Sequence, residues 1–134
     1  MKIAGVADTH VALWYLFGDP KLSPTAKAFI DEASRTDQKI AISAISLAEL
    51  VYLIEKKRLP RVALDEVNRA LADDEHVFWE AIFSRTVAEC MQRVSRAAVP
   101  DLPDRLIAAT AIYLNVPIIS RDGRIRASNL RTVW

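Results

Sequence analysis

The chain has 134 residues, and its 51% hydrophobic content is enough for one domain with one buried core. With 18 lysines and arginines against 17 aspartates and glutamates, the net charge is +1, so overall charge does not point to a nucleic-acid or membrane partner. The single cysteine, Cys90, cannot form an internal disulfide, which suits a reducing cytoplasm. The uncharged stretch 106–120 is shorter than the roughly 18 apolar residues of a membrane span. We therefore expect a cytoplasmic protein with no membrane partner.

Strands and helices alternate along the first half of the chain. Residues 3–7 are a compact apolar run that predicts a strand buried on both faces, and residues 9–17 predict a helix that ends at "GDP". The next helix, "SPTAKAFIDEASR", opens with Ser23 as its N-cap and Pro24 in the first helical position. The run "KIAISA" predicts a second strand, and the helix after it ends before Pro60.

The second half continues this alternation. "ALDEVNRALADD" predicts an amphipathic helix, "HVFWE" a third strand and "SRTVAECMQRVSRAA" another helix. A proline-bearing loop, "VPDLPD", leads into the helix "RLIAATAIYLN", and then come the strand "VPIIS", the turn "RDGR" and "RTVW", which could form a last strand. The pattern predicts a single α/β domain over residues 1–134, with a central, mostly parallel sheet of four to five short strands covered by helices on both faces.

Four acidic residues fall where such a sheet would bring them to one edge. Asp8 directly follows the first strand, and Asp122 follows the fourth. Glu49 falls in the first turn of the helix after the second strand, and Asp104 opens the helix that leads back to the fourth. Ligands of these sheets bind beyond the carboxyl ends of the strands. Because clustered carboxylates repel one another unless a cation neutralises them, the four acids predict a site for Mg²⁺ or Mn²⁺, and hydrolysis of phosphodiester bonds is the chemistry that uses this arrangement.

Each acid also has a structural interpretation. The segment "SLAE", which ends at Glu49, matches the S-x-x-E capping box. Asp101 could cap the helix that Asp104 opens, Asp8 could cap the first helix, and Asp122 could belong to a turn. Capping is the commoner role for any one of these residues, but only the functional interpretation places all four together.

Four segments resemble successive signatures of the PIN domain family, in particular the VapC toxins of prokaryotic toxin–antitoxin pairs. They are "ADTHVALWYL", "SAISLAEL", "DLPDRLIAATA" and "IISRDGRI". The resemblance implies a three-layer α/β/α PIN-like fold and an endoribonuclease that depends on Mg²⁺ or Mn²⁺. It implies that the catalytic, metal-binding acids are Asp8, Glu49, Asp104 and Asp122. It also implies a homodimer and a cognate antitoxin protein that blocks the site.

The resemblance extends to polar residues beside the acids. Those expected to orient waters or acids are Thr9, Ser43, Asp101 and Ser120, although family members commonly carry Thr where this chain has Ser120. RNA also requires positive charge, and the arginines expected to contact phosphate are Arg105, Arg121 and Arg124. A second basic cluster, from Lys56 to Arg61, is equally well explained as a solvated surface.

In the family, the surface near the first and middle helices forms the dimer and the antitoxin groove. Candidates for partner contacts are therefore Trp14, Tyr15, Leu50 and Ile54, with simple core burial as the alternative.

Three other functions stay open. A receiver-like phospho-acceptor domain is also doubly wound and binds Mg²⁺ at its strand ends, but it would need a lysine after the last strand, where this chain has "IISRDGRI". A catalytically silent PIN-like module would bind RNA or protein without cleaving. A nuclease acting on DNA flaps would use the same metal chemistry, but the chain is short for its accessory elements.

Overall fold

A five-stranded sheet forms the centre of the computed structural model, which describes residues 1–134. Its strands are β1 (Ile3–Ala7), β2 (Lys39–Ser43), β3 (Phe78–Ala81), β4 (Ile118–Ile119) and β5 (Thr132–Val133). Every pairing is parallel, and the order across the sheet is β3-β2-β1-β4-β5. The chain builds outward from β1 to β3 and then crosses to the other side of β1 for β4. The topological switch point therefore lies between β1 and β4.

Seven α-helices connect the strands and cover both faces of the sheet. They are α1 (Thr9–Phe17), α2 (Pro24–Arg35), α3 (Ala44–Glu55), α4 (Arg61–Ala72), α5 (Arg85–Cys90), α6 (Leu102–Leu114) and α7 (Gly123–Ala127), with one 3₁₀ turn at Met91–Arg93. The predicted three-layer α/β/α fold is confirmed. None of these helices combines the length and the apolar character that crossing a bilayer requires.

Successive residues of the strands face opposite layers. Val6 packs in the cluster beside α6, whereas its neighbour Ala7 packs in the cluster beside α1 and α2. Ile118 and Ile119 divide in the same way between the two clusters, and all four side chains have no exposed surface. Because side chains alternate along a strand and both faces are covered, β1 and β4 carry no polar side chain, and for β1 this is what the sequence predicted.

Two predicted elements in the second half of the chain are different in the structure. The helix expected over residues 84–98 ends after α5 and the 3₁₀ turn, and the Arg105 guanidinium donates to the carbonyl oxygens of Met91 and Val94, each at 3.1 Å. The carbonyl of Met91 also accepts from the backbone N–H of Val94 at 3.0 Å, whereas that of Val94 is bonded to this side chain at the point where the helix has ended. The expected turn "RDGR" is instead the start of α7, which the buried Ile125 anchors in the core.

The start of α6 also differs from the prediction. The helix begins at Leu102, three residues before the predicted start at Arg105, because Asp101 caps it and Pro103 is tolerated in its first turn. Asp104 therefore lies inside the first turn of α6.

Gly5 lies where β1 approaches its neighbours closely. A Cβ atom added there would lie 3.1 Å from Phe29 Cε1 and 3.2 Å from the carbonyl oxygen of Pro117, whereas one added at Gly123 would meet nothing within 4 Å. We expect Gly5→Ala to lower the free energy of unfolding by about 1–3 kcal/mol, because overpacking forces neighbouring atoms to shift. Gly123→Ala is the matched control and should cause no loss. Urea denaturation of both variants checks this, and equal stabilities would contradict a close approach at Gly5.

Candidate active site at the carboxyl edge of the sheet

Asp8 and Ser120 meet at the switch point of the sheet. Asp8 directly follows β1, Ser120 directly follows β4, and the Ser120 hydroxyl donates to Asp8 Oδ2 at 2.8 Å. Asp8 Oδ1 accepts a hydrogen bond from the backbone N–H of Thr9, also at 2.8 Å, which caps α1. Both carboxylate oxygens are therefore held, and this side chain is a helix cap and a site residue at once.

A buried pair of hydroxyls connects α1 to Glu49 on α3. Thr9 Oγ1 lies 2.6 Å from Glu49 Oε1 and 2.8 Å from Ser46 Oγ, and the two hydroxyl residues are each only 1% exposed. A hydroxyl has one proton, so all three groups are satisfied when Ser46 donates to Thr9 and Thr9 donates to Glu49. The Glu49 carboxylate is thus held beside the residue that follows Asp8.

Two sequence interpretations of the α3 start are wrong. The N-cap is Ser43, whose Oγ accepts from the backbone N–H of Ile45 at 3.1 Å, so Ser46 does not form a capping box with Glu49. Glu49 is the sixth residue of α3 and lies in the second turn, not the first. Its carboxylate is consequently free of the helix terminus and bonds across to α1.

Three aspartates complete this edge of the sheet. Asp101 caps α6 by accepting from the backbone N–H of Asp104 at 3.2 Å. Asp122 caps α7 through its Oδ1, and its own backbone N–H donates to Ser120 Oγ at 3.0 Å. The Ser120 hydroxyl thus contacts both Asp8 and the backbone of Asp122.

The acids at this edge interact electrostatically. Burial, together with the charges of four other acids, raises the pKa of Asp104 to about 7; these acids are Asp8, Asp101, Asp122 and Glu49. Burial also raises the pKa of Asp8, against the hydrogen bonds from Ser120 and Thr9 that lower it. No ion pair of the protein includes any of the four predicted catalytic acids. The structure therefore brings Asp8, Glu49, Asp104 and Asp122 near one another without a neutralising lysine or arginine.

The acids are near one another but not in mutual contact. No three acidic, histidine or cysteine side chains lie close enough to hold one metal ion together.

A cleft of about 200 Å³ opens beside Asp8 and Asp122. It is also lined by Trp14 and Arg121, and the guanidinium carbon of Arg121 lies 4.6 Å from the centroid of the Trp14 ring. This cation–π contact holds the arginine at the mouth of the cleft. The sequence patterns did not reveal it, because no spacing rule connects a residue of α1 to one that follows β4.

The other predicted RNA-binding arginines differ in their surroundings. Arg124 is exposed on the first turn of α7, beside Asp122. Arg105 is half-buried, is bonded to two backbone carbonyls and has a buried Nε atom without a partner. Its guanidinium is therefore engaged inside the protein, and its contact with RNA stays a prediction.

One predicted partner contact is wrong. Leu50 is only 1% exposed and packs with Leu13 and Val67 in the cluster between α1, α3 and α4. Trp14, Tyr15 and Ile54 are half-buried, and their partner contacts stay predictions.

The parallel sheet, its helical layers and the acids at its switch point define an α/β/α domain with an acidic site at the strand ends. The family model of the PIN domain matches residues 6–129. The chain belongs to the PIN domain family, which confirms the resemblance of its four segments.

Known relatives cover nearly the whole chain. It is 32% identical over 130 residues to Ribonuclease VapC22 of Mycobacterium tuberculosis, a match that spans 95% of each chain. Among solved structures, it is similar to VapBC2 from Rickettsia felis bound to a DNA fragment of its promoter, with a TM-score of 0.67, 20% identity and coverage of 97% of this chain and 96% of that one. A toxin–antitoxin complex from Klebsiella pneumoniae gives a TM-score of 0.61 at 20% identity, covering 98% and 97%. FitAcB from Neisseria gonorrhoeae gives 0.58 at 20% identity, covering 96% and 95%. At 20% identity, these three structures show the similarity of the fold alone.

The raised pKa of Asp104 makes stability depend on pH. The pKa of Asp104 is about 7 in the folded protein and near 3.8 in the unfolded chain, so between pH 3.8 and pH 7 the folded state binds more protons than the unfolded state. The free energy of unfolding therefore falls as pH rises through this window. We expect Asp104→Asn in EDTA to raise it near pH 8 by roughly 1–2 kcal/mol, a value discounted for solvent screening, and to change it little near pH 4. Urea denaturation at both pH values tests this against Asp74→Asn, an exposed control; a pH-independent effect of Asp104→Asn would contradict it.

The Thr9 hydroxyl is expected to stabilise the link between α1 and α3. Thr9→Val keeps the shape of the side chain but leaves the buried Ser46 hydroxyl without its partner, so we expect a loss of about 1–3 kcal/mol in the free energy of unfolding. Thr9→Ser keeps the hydroxyl and should recover most of the loss. Thermal and urea denaturation measure both, and equal losses would mean that packing of the methyl group, not hydrogen bonding, is what Thr9 contributes.

Proposed function

We propose that this protein is a VapC-type endoribonuclease that hydrolyses RNA phosphodiester bonds with Mg²⁺ or Mn²⁺ and acts as the toxin of a toxin–antitoxin pair. The observation that carries the proposal is the 32% identity, over 95% of both chains, to a protein named a ribonuclease. The acidic edge of the sheet supports it, because an unneutralised group of carboxylates beside an open cleft suits the cleavage of a phosphate ester by a bound cation.

The chemistry of the donor set suits a hard divalent cation. Asp8, Glu49, Asp104 and Asp122 offer only oxygen ligands, which Mg²⁺ and Mn²⁺ prefer. No three of these side chains lie close enough to hold one ion together directly, so Mg²⁺, which takes one or two carboxylates directly, would reach the others through water. These four side chains would hold the cation. When bound, it would lower the pKa of an attacking water and stabilise charge on the phosphate.

The remaining residues of the site would orient its acids and its substrate. Ser120 holds Asp8 through Oδ2, and the hydroxyl of Thr9 holds Glu49. Asp104, whose pKa is near 7, would have to give up a proton to become a ligand, so binding of the cation should strengthen as pH rises through neutrality. Arg121, which lines the cleft, and Arg124, which is exposed beside Asp122, would neutralise the phosphates of RNA.

The proposed partners are RNA, a cognate antitoxin and a second copy of the chain. The solved relatives include toxin–antitoxin complexes, which supports an antitoxin partner. Large apolar side chains are exposed on α1, α3 and α4, namely Phe17, Val51, Tyr52 and Val62, each by 42–54%. Exposed apolar surface of this kind is typical of a face that a partner covers, which supports a homodimer and an antitoxin contact. The proposed compartment is the cytoplasm, which the single cysteine suits.

The test is cleavage of a structured RNA mixture by purified protein in Mg²⁺, Mn²⁺ or EDTA. We expect cleavage with either metal and none in EDTA. Asp8→Asn or Glu49→Gln should lower the cleavage rate by about 100-fold or more, since mutation of residues that only support metal ligands already lowers metal affinity or activity by about 10–100-fold. Asp74→Asn is the matched control and should cleave at the parent rate. Circular dichroism checks that every variant is folded. Parent-like cleavage by a folded Glu49→Gln variant would remove that residue from the site.

The same experiment separates the alternatives. A silent PIN-like module would bind RNA or antitoxin but would cleave nothing in any metal. A DNA nuclease would cut a flap substrate in preference to RNA. The receiver-like alternative is disfavoured by the sheet, whose order is 3-2-1-4-5, whereas receiver domains have the order 2-1-3-4-5.

A further inference from the structure

The turn between α3 and α4 carries a cluster of positive charge that the site described above does not use. This basic turn comprises residues 56–61, and its cations are Lys56, Lys57, Arg58 and Arg61, all exposed. Only Arg61 has a carboxylate within 4 Å, that of Asp65 at 3.6 Å. The other three form no ion pair, and Lys56 Nζ lies 5.6 Å from the centroid of the exposed Tyr52 ring. The turn therefore presents three uncompensated charges to solvent.

The backbone of the basic turn has a lysine where glycine is preferred. The N–H of Lys57 donates to the carbonyl of Ile54, and that of Arg58 to the carbonyl of Leu53, each at 2.9 Å. This is the Schellman arrangement that ends a helix, and its left-handed position is usually glycine. Here Lys57 occupies that position with φ of 58°. Because the left-handed conformation is unfavourable for residues with a side chain, a lysine at this position points to a functional role for its positive charge.

The basic turn adjoins the acidic cleft through a continuous surface. A hollow of about 460 Å³ is lined both by residues of the basic turn, Leu59 and Pro60, and by Trp14 and Arg121, with one acid, Asp19, and one further cation, Lys21, in its wall. Trp14 and Arg121 also line the cleft beside Asp8 and Asp122. A bound chain that leaves the acids past Arg121 would reach the basic turn next.

We infer that the basic turn binds the phosphate backbone of the RNA substrate away from the bond that is cut, an inference that rests on the proposed function. Its cations lie beyond the hollow that Arg121 also lines, and a polyanion that passes through the cleft and across this hollow is the ligand that would meet both. Backbone neutralisation of this kind is independent of sequence, and it makes binding depend on salt. Cations at the end of α3 also stabilise the helix dipole, so a purely structural role is the competing explanation.

Lys57→Gly separates the two explanations because they predict different results. Removing the charge weakens RNA binding under our proposal, while glycine relieves the left-handed backbone, so the melting temperature should be no lower than that of the parent. The probe is a fluorescently labelled, single-stranded uridine homopolymer, titrated with Asp8→Asn protein so that it is not cut. The measured quantity is the slope of log affinity against log salt, which should become shallower by about 0.7 for Lys57→Gly, the value for one phosphate contact on a single strand. Lys57→Gly combined with Arg58→Ala should lower the slope by about twice as much.

Two variants serve as matched controls. Asp37 is another non-glycine residue at the end of a helix with positive φ, 56°, so Asp37→Gly relieves the same backbone strain without removing a cation. Lys2→Ala removes one exposed positive charge just before β1, at the edge of the sheet opposite the cleft. Neither should lower the salt slope.

Each outcome decides the inference. A shallower slope for Lys57→Gly, with an unchanged slope for Asp37→Gly and Lys2→Ala, supports it. RNA binding by the parent with the same slope in Lys57→Gly overturns the inference but leaves the proposed function standing. Parent protein that fails to bind or cut any RNA overturns both. Binding of polyglutamate in place of the uridine polymer, abolished by Lys57→Gly, would also overturn it and assign the turn to an acidic protein segment.

Discussion

Repulsion among carboxylates at the carboxyl edge of the sheet is the constraint on which the site depends. Parallel strands end at the same edge, and Asp8 and Asp122 follow strands that are neighbours at the switch point. Asp104 reaches the same place from the start of α6, where burial and then the charges of the neighbouring acids raise its pKa to about 7. Because like charges repel, a fold that gathers these carboxylates must fix each one by hydrogen bonds to other groups.

Three buried hydroxyl groups hold two of these acids in place by hydrogen bonds. Ser120 holds Asp8, and the chain from Ser46 through Thr9 holds Glu49. Each is at most 1% exposed, so its hydrogen bond is shielded from competing water and an unmade bond would be costly. The acids are thus fixed by neutral groups that add no charge to the site. An arginine or lysine in the same position would neutralise the acids and leave no reason for a cation to bind.

Positive charge is arranged around the acids instead of among them. Arg121 lies on the Trp14 ring at the mouth of the cleft, and the basic turn begins beyond the hollow next to it. A net charge of only +1 conceals this separation, since acids at the strand ends offset cations along the surface. Under the proposed function, this separation would leave the acids free to bind a cation while the substrate backbone is neutralised elsewhere.

Local patterns in the sequence were sufficient for most of the fold. Apolar runs identified the strands, and Ser23 followed by Pro24 identified the start of α2, because strand burial and helix capping depend on residues close together in the chain. The same reasoning failed for residues 84–98, where a long-range contact from Arg105 bonds carbonyls that an isolated helix would have used. It failed again at Asp122, because helix α7 depends on burial of Ile125 in a core that only the folded chain provides.

The sequence by itself determined the alternation of strands and helices, the edge of the sheet where the acids gather, and the family. These follow from patterns within a few residues and from the rule that parallel strands end together. The tertiary structure alone decided how the acids are held: that Ser46 bonds to Thr9 and does not cap α3, that Glu49 turns toward α1, and that Arg105 is engaged within the protein. The physical reason is that these contacts join residues 11 to 40 positions apart, and no local pattern records which hydroxyl or carbonyl will be buried beside which partner.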